Sequence, residues 1–354
     1  FQEGWGASRQ GVTDPFYNEF QGGYNNILPA GNFLGENYLL SYLARVNYGF
    51  NRKYLFGFNF RRDGYSAFAP GKKYGNFFGG SVGWVVSEEK FFKNSGLSKV
   101  MNLLKFKGSY GEVGNIQGLA DFPFWSAFSS GLYATAASLA FSQAGNRDLK
   151  WENSKKTDFG VEMGFFRGRL TAEISYYKNL VDDGILAEPT APSRGIPGNS
   201  ITTNIGSMTN KGWELTLTGT VVQSKNFTWN SSFNYTTLRN EVTRLANQNA
   251  DIQPATSGLE RPSLIRVGQS LGVFYAVRTG GVNPANGQRI YYYANGTAVQ
   301  YNHAAPAVSR WTLVSTGANA PRVADQAADG ILIGPALPKW QGGWDNTFKY
   351  KNFD

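Results

Sequence analysis

The sequence predicts an all-β protein whose antiparallel hairpins form a transmembrane β-barrel. Three observations carry this. Segments of about ten residues alternate between apolar and polar side chains, the period-2 signature of a strand with two unlike faces. The connections between them alternate between short and long. Charged residues make up only 17% of the 354, while aromatics reach 15% and glycine numbers 43; soluble proteins carry roughly 25% charge, so this composition suits a sheet that need not face water on both sides.

The clearest unit spans residues 155–180. Phe159, Val161, Met163 and Phe165 share one face, and Asp158, Gly160, Glu162 and Gly164 the other. After a tight turn at 166–169 the pattern resumes with Leu170, Ala172, Ile174 and Tyr176 against Thr171, Glu173, Ser175 and Tyr177. That is an antiparallel hairpin. In chain order, residues 1–10 read as the end of a strand and 11–36 as a Gly/Pro/Asn-rich loop. Strands follow at 40–50, 54–61 and 78–86. SEEKFFKNSGLSKV reads as one brief helix, with Ser87 as N-cap and Gly96 as stop. A strand at 104–110 leads into a long loop, 114–150. Beyond the 155–180 hairpin come a proline-bearing loop at 183–204, strands at 213–218 and 227–235, a folded insertion at 244–338 with a strand near 271–278, and a last strand from Trp340 to Phe353.

The short connections fall near residues 51, 167 and 223, with the compact link at 87–100. The long ones fall near 63, 130, 193 and 290. Short turns at one rim and long loops at the other are the plan of outer-membrane barrels. Tyr48, Phe50, Tyr54, Phe56, Trp84, Phe165, Phe166, Phe227 and Trp229 gather beside the short turns and read as an interfacial girdle. No apolar run approaches the ~20 residues of a membrane helix. Cysteine is absent, so there is no disulfide framework or thiolate metal site. The net charge of +9 comes without a Lys/Arg-dense helix or a groove-reading motif, so anionic lipid headgroups fit it better than nucleic acid.

YLARVNYGFNRKYLFGFNFRRDGYSAF, GWVVSEEKFF, LLKFKGSYGEVGN, LKWENSKKTDFGVEMGF, IGSMTNKGWELTL, VGQSLGVFYAVRTGGVNPANGQ and PKWQGGWDNTFKYKNFD resemble successive segments of SusC/RagA-type TonB-dependent outer-membrane transporters. The resemblance covers about residues 37–354, in the family's order. It implies a plugged barrel of about 22 strands, a SusD-like surface lipoprotein over the extracellular loops, and energy delivered by a TonB complex pulling on an N-terminal segment. Nine or ten strands cannot close such a barrel. The resemblance therefore implies that these residues belong to the C-terminal part of a longer polypeptide, with the N-terminal plug and the final strands outside them. Outer-membrane lipid or lipopolysaccharide is the expected surround.

Catalysis finds little support, and no cofactor or metal is expected. The single histidine, His303, sits on a loop among Ala and Asn. Asp182 and Asp183 are strand neighbours that point to opposite faces, and Glu88 and Glu89 suit a helix N-terminus. The acids Asp158, Glu162, Glu173 and Glu214 are expected to face the lumen, forming a polar track with Arg45, Lys105 and Lys107. Phe124, Trp125, Tyr133, Tyr291, Tyr292, Tyr293 and Trp311 lie in expected extracellular loops and are the candidate ligand contacts, because sugar rings and apolar peptide side chains both stack on aromatic faces. Import of an oligosaccharide or peptide is the leading function. A non-transporting scaffold barrel in a surface complex is the alternative.

Overall fold

The computed structural model describes residues 2–12, 24–116, 119, 121–133, 136–254 and 261–353; side chains are described at these positions except 2–12, 24–35, 130–133, 136–137 and Asn247. No described helix is long and apolar enough to cross a membrane.

At the start of the chain β1 (Gln2–Val12) pairs with β2 (Tyr24–Gly35). Residues 24–35, expected as loop, are therefore a strand. Their Gly, Pro and Asn content hides the alternation. Pro29 lies beside the register shift between Gly6 and Ala7, where a missing N–H is tolerated.

The wall begins with β3 (Leu39–Phe50), β4 (Tyr54–Tyr65), β5 (Tyr74–Val85) and β6 (Met101–Asn115). A side hairpin follows, β7 (Ala127–Tyr133) with β8 (Ala136–Gln143). The wall resumes with β9 (Glu152–Phe165), β10 (Leu170–Pro189), β11 (Ser200–Gln223), β12 (Phe227–Thr237) and β13 (Arg239–Arg244). The insertion holds two small sheets. One joins β14 (Ser263–Leu264), β15 (Val273–Val277) and β20 (Gly330–Gly334). The other joins β16 (Thr279–Val282), β17 (Arg289–Tyr292), β18 (Ala298–Tyr301) and β19 (Trp311–Leu313). The last wall strand, β21 (Trp340–Tyr350), pairs with β12.

Wall strands lie in the order β3-β4-β5-β6-β9-β10-β11-β12-β21, with β13 on the upper part of β11. Every pairing is antiparallel. The sheet is thus an up-and-down meander, with all tight turns on one rim and all long excursions on the other. The turn at 51–53 carries positive φ at Asn51 and Arg52 (51° and 58°), backbone that follows the right-handed strand twist.

The β5–β6 link is not one helix. A 3₁₀ turn (Val86–Glu88), a single α-turn (Lys90–Lys93) and a second 3₁₀ turn (Gly96–Lys99) share it. Ser87 is buried and caps nothing, Glu89 stands at the cap position, and Gly96 opens a turn instead of ending one. The expected loop 183–204 shrinks to 190–199. Register shifts around Val181, Gly184 and Ile185 break the period there, so continuing strand reads as loop.

The apolar wall face is uncovered: Tyr42 is 58% exposed, Phe58 52%, Phe159 60% and Trp344 69%. An apolar surface this extensive requires a non-aqueous neighbour. Two polar side chains on it serve indoles: Trp344 Nε1 donates to Ser231 Oγ (2.8 Å) and Trp229 Nε1 to Asn346 Oδ1 (3.0 Å). Protein cores occur at the long-loop rim instead. One gathers Tyr65, Phe68, Phe77, Leu149 and Trp151, with the Trp151 indole donating to the Lys73 carbonyl at 3.0 Å. The other gathers Val242, Leu245, Ile252 and Ile265. The insertion leaves and returns at one point: Leu238 N–H donates to Lys339 O (2.8 Å). Asn240 ties it down, donating to Asn210 Oδ1 (2.6 Å) while accepting from Ser270 Oγ and the Leu271 N–H.

Candidate functional site

Two surfaces can meet a solute: the polar face of the wall and the aromatic surfaces above it. The register brings Lys105, Lys107 and Ser109 of β6, Asp158 and Glu162 of β9, Glu173 and Ser175 of β10, and Glu214 of β11 onto one face. Glu162 pairs with Lys105 (3.1 Å) and Lys107 (3.0 Å), and Lys107 also reaches Glu173. Asp158 accepts from Ser109 Oγ at 3.4 Å, and Glu214 from Ser175 Oγ at 3.5 Å. Arg45 donates to Asn47 (3.4 Å) on its own strand. All four acids expected on one wall face are there.

Glycine makes the charge network possible. Gly160 stands directly between Lys107 on β6 and Ser175 on β10. A Cβ at Gly160 would lie 2.7 Å from Lys107 Cε, so the lysine lies flat over the glycine to reach the next strand. A concavity of about 590 Å³ runs along this face past Asn47, Gly57, Ser81, Lys107 and Glu173. Its lining mixes glycine and serine with the charged side chains of Lys107, Asp158, Glu173 and Glu214.

At the short-turn rim Glu89 accepts from Lys53 Nζ (2.8 Å), Tyr54 Oη (2.8 Å) and Trp84 Nε1 (3.3 Å). These bonds, Lys53 foremost, hold its pKa at about 2. The acid fixes two girdle rings against the β5–β6 link. Lys53 and Tyr54 lie 36 and 35 residues away in sequence and Trp84 five, so the helix-capping role assigned by sequence did not find them.

The loop aromatics separate into groups. Phe124 is buried while Trp125 is 55% exposed; Phe122 stacks on Trp125 at 5.4 Å between centroids, and Phe124 lies 4.8 Å from Trp125. The Tyr133 side chain lies outside the described side chains. Tyr292 receives the Arg278 guanidinium over its ring at 4.4 Å. Tyr293 is buried, donates its hydroxyl to the Arg322 carbonyl and carries the Arg322 guanidinium at 4.2 Å over its ring. It packs the insertion and presents no face to a solute. Arg322 also makes paired bonds to both oxygens of buried Asp329 (2.5 and 2.6 Å), which the N–H groups of Ala294 and Asp325 complete. Arg322 above all holds Asp329 at about 2. This clasp locks the two small sheets together.

Tyr291 and Trp311 do come together, 5.2 Å apart, and Tyr301 extends the row at 5.0 Å from Trp311. His303 continues it, 6.3 Å from the Tyr301 ring. The register sets Tyr301 opposite Trp311, and all three large rings are half-buried. The row is a set of fixed flat plates, able to stack on sugar rings or cover apolar side chains. Tyr301 escaped the sequence reading; two turn signals, at 294–296 and 302–306, bracket its strand and could have placed it beside Trp311. Among the described residues no group of three or more His, Cys, Asp or Glu side chains could hold a metal ion.

Comparison with known proteins agrees with this architecture. The family model described as TonB dependent receptor-like, beta-barrel, matches residues 2–327. The TonB-dependent receptor P39 of Formosa agariphila is 30% identical over 96% of this chain and 34% of its own length. The TonB-dependent receptor SusC of Bacteroides thetaiotaomicron is 33% identical over 59% of this chain and 21% of its own. The RagAB peptide importer in its open-open state superposes with a TM-score of 0.73 at 25% identity, over 94% of this chain and 33% of that one. The chain thus spans about a third of the length of the receptor P39 and of the RagAB chain. These relatives are receptors and transporters rather than enzymes, and TonB-dependent receptor barrels are outer-membrane proteins. An antiparallel meander with one apolar and one polar face, tight turns on one rim and a family match over nearly its whole length place the chain in the TonB-dependent receptor β-barrel family.

Proposed function

We propose that the chain supplies part of the wall and outer mouth of an outer-membrane importer for a large nutrient, an oligosaccharide or a peptide. Residues 37–243 and 339–354 are the wall, and 244–338 form an extracellular binding module. The row of Tyr291, Trp311 and Tyr301 carries the reading: rings fixed in a folded loop present flat apolar surface at low entropic cost. Trp125 adds a second plate. The likeness to the RagAB peptide importer supports a peptide. Asp158, Glu162, Glu173 and Glu214 face the lumen and give a hydrated lane past a plug. A SusD-like lipoprotein covers the loops, and a TonB complex acting through an N-terminal segment supplies the energy.

The test is Trp311→Ala in the full-length protein. Losing a stacked indole costs about 2 kcal/mol, or about 30-fold in affinity. Uptake and binding of the cognate oligomer should fall together, with surface abundance unchanged. Unchanged binding in Trp311→Ala and in Trp311→Ala/Tyr301→Ala would remove the aromatic row from the reading.

A further inference from the structure

The apolar face ends abruptly on a row of cations. On β10, Ile174 and Tyr176 are followed on the same face by Lys178; on β11, Trp213 is followed by Lys211. The register sets Lys178 directly opposite Lys211, and Lys211 directly opposite Arg239 of β13. Three positive charges therefore stand side by side across three strands. One step towards the short turns, on the same face, lies the row Phe159, Tyr176 and Trp213. Its members are 60% exposed at Phe159 and 57% at Trp213.

Like charges directly opposite each other are destabilising in a sheet, and here the chain pairs only one of the three. Further along the same strands ionised groups are paired: Lys155 with Asp182 (2.9 Å) and Lys150 with Asp183 (2.7 Å). Arg239 has Glu241 at 3.1 Å. Neither Lys178 nor Lys211 has an ion pair among the described residues. Both lysines are therefore left to solvent or to an anion from outside the chain.

Their height says which. Lys178 lies eight residues along β10 from Leu170 at the short turn, or ~26 Å of strand and ~20 Å of membrane depth at a tilt of ~40°. The apolar band of such barrels is ~25 Å tall. The same spacing recurs on β4, where Arg62 stands eight residues from Tyr54 and covers the Tyr74 ring at 4.8 Å. The unpaired lysines thus stand ~5 Å below the upper edge of that band, on the long-loop side, close enough for their long side chains to carry the ammonium groups up to the headgroups.

We propose that Lys178, Lys211 and Arg239 form a binding site for the phosphate groups of an anionic lipid in the outer leaflet, with Tyr176 and Trp213 against its acyl chains. The inference rests on the membrane-spanning reading of the wall and adds a headgroup specificity to it. A cation near an anionic surface contributes a factor of about 5 in binding, so two contribute about 30-fold.

The test uses the full-length protein in nanodiscs containing bis-phosphorylated lipid A or its dephosphorylated counterpart, with bound lipid counted by native mass spectrometry. Lys178→Gln/Lys211→Gln should bind the phosphorylated lipid about 30-fold more weakly, leave the dephosphorylated lipid unaffected and keep the folded gel mobility. Lys225→Gln, in the opposite rim's turn, should change nothing. Equal retention of the phosphorylated lipid by the double variant, or equal loss of both lipids, would overturn the site. Quenching of Trp213 by bromine-labelled acyl chains separates the two levels. If it is quenched and retention is equal, only the headgroup site fails; if it is not quenched, the membrane placement itself fails.

Discussion

Replacing Lys107 with Gln removes the cation that lies between Glu162 and Glu173. These two acids are directly opposite on β9 and β10, so their side chains stand ~5 Å apart. Coulomb's law gives their repulsion as about 0.8 kcal/mol in water and about 3.3 kcal/mol at the effective dielectric of a protein surface. The side chains are 27% and 45% exposed, which lies between those limits. Lys105 still reaches Glu162 at 3.1 Å and offsets part of the charge. The expected loss is therefore about 1–2 kcal/mol. The assay is urea unfolding of the full-length protein in lipid vesicles, read by tryptophan fluorescence and gel mobility. Glu173→Gln alone should be nearly neutral, because it removes a charge and leaves Lys107 its second partner. The double variant Lys107→Gln/Glu173→Gln should recover to within about 0.5 kcal/mol of the parent. If the double variant were no more stable than Lys107→Gln, repulsion between the acids would not be what the lysine relieves.

Gly160→Val should reproduce the Lys107→Gln loss without adding to it, since a Cβ 2.7 Å from Lys107 Cε displaces the lysine from both acids; stabilities of the single and double variants in the same assay check this. Arg322→Leu leaves buried Asp329 without its guanidinium and should destabilise the insertion; hydrogen exchange should accelerate across 261–334 and stay unchanged in β3–β6. Glu89 has its folded pKa lowered to about 2 from 4.5. Its contribution is therefore complete above pH 4.5 and is lost as pH falls towards 2. The short-turn rim should loosen over that window, and Glu89→Gln should flatten the dependence, as hydrogen exchange of residues 51–55 and 84–93 at pH 3 and pH 6 would show.

The wall was legible because each of its strands faces two unlike media. Phe159 against Asp158, or Ile174 against Ser175, announces the period directly, and the alternation of short and long links announces the meander. The signal fades where both faces meet water. β10 therefore runs on to Pro189 unseen past its bulge at Gly184, and in β2 the register shift beside Pro29 breaks the period, so it reads as loop. The polar-face acids were legible one by one, but their network was not: Lys107 reaches Glu173 only because Gly160 is flat, and that depends on which strands are neighbours. The aromatic row was half legible. Trp311 and Tyr291 stand out as residues, whereas Tyr301 joins them only through the pairing of β18 with β19. Tyr293 looked equivalent to its two neighbours and is buried because Arg322 and Asp329, some thirty residues on, close over it.

The division of labour between the rims follows from the solvent each part meets. A strand in a bilayer keeps its backbone bonds because an unpaired N–H or C=O there costs several kcal/mol, and it needs no protein core of its own. A loop in water has no such constraint and must bury apolar side chains to hold a shape. Both described cores accordingly lie at the long-loop rim, and both include residues of the wall itself: Tyr65 and Phe77 belong to β4 and β5, and Val242 to β13. The outer loops therefore clamp the strand ends as well as carrying the aromatic plates. A platform held this way is ordered before any ligand arrives, which places the entropic cost of shaping it in folding instead of in binding.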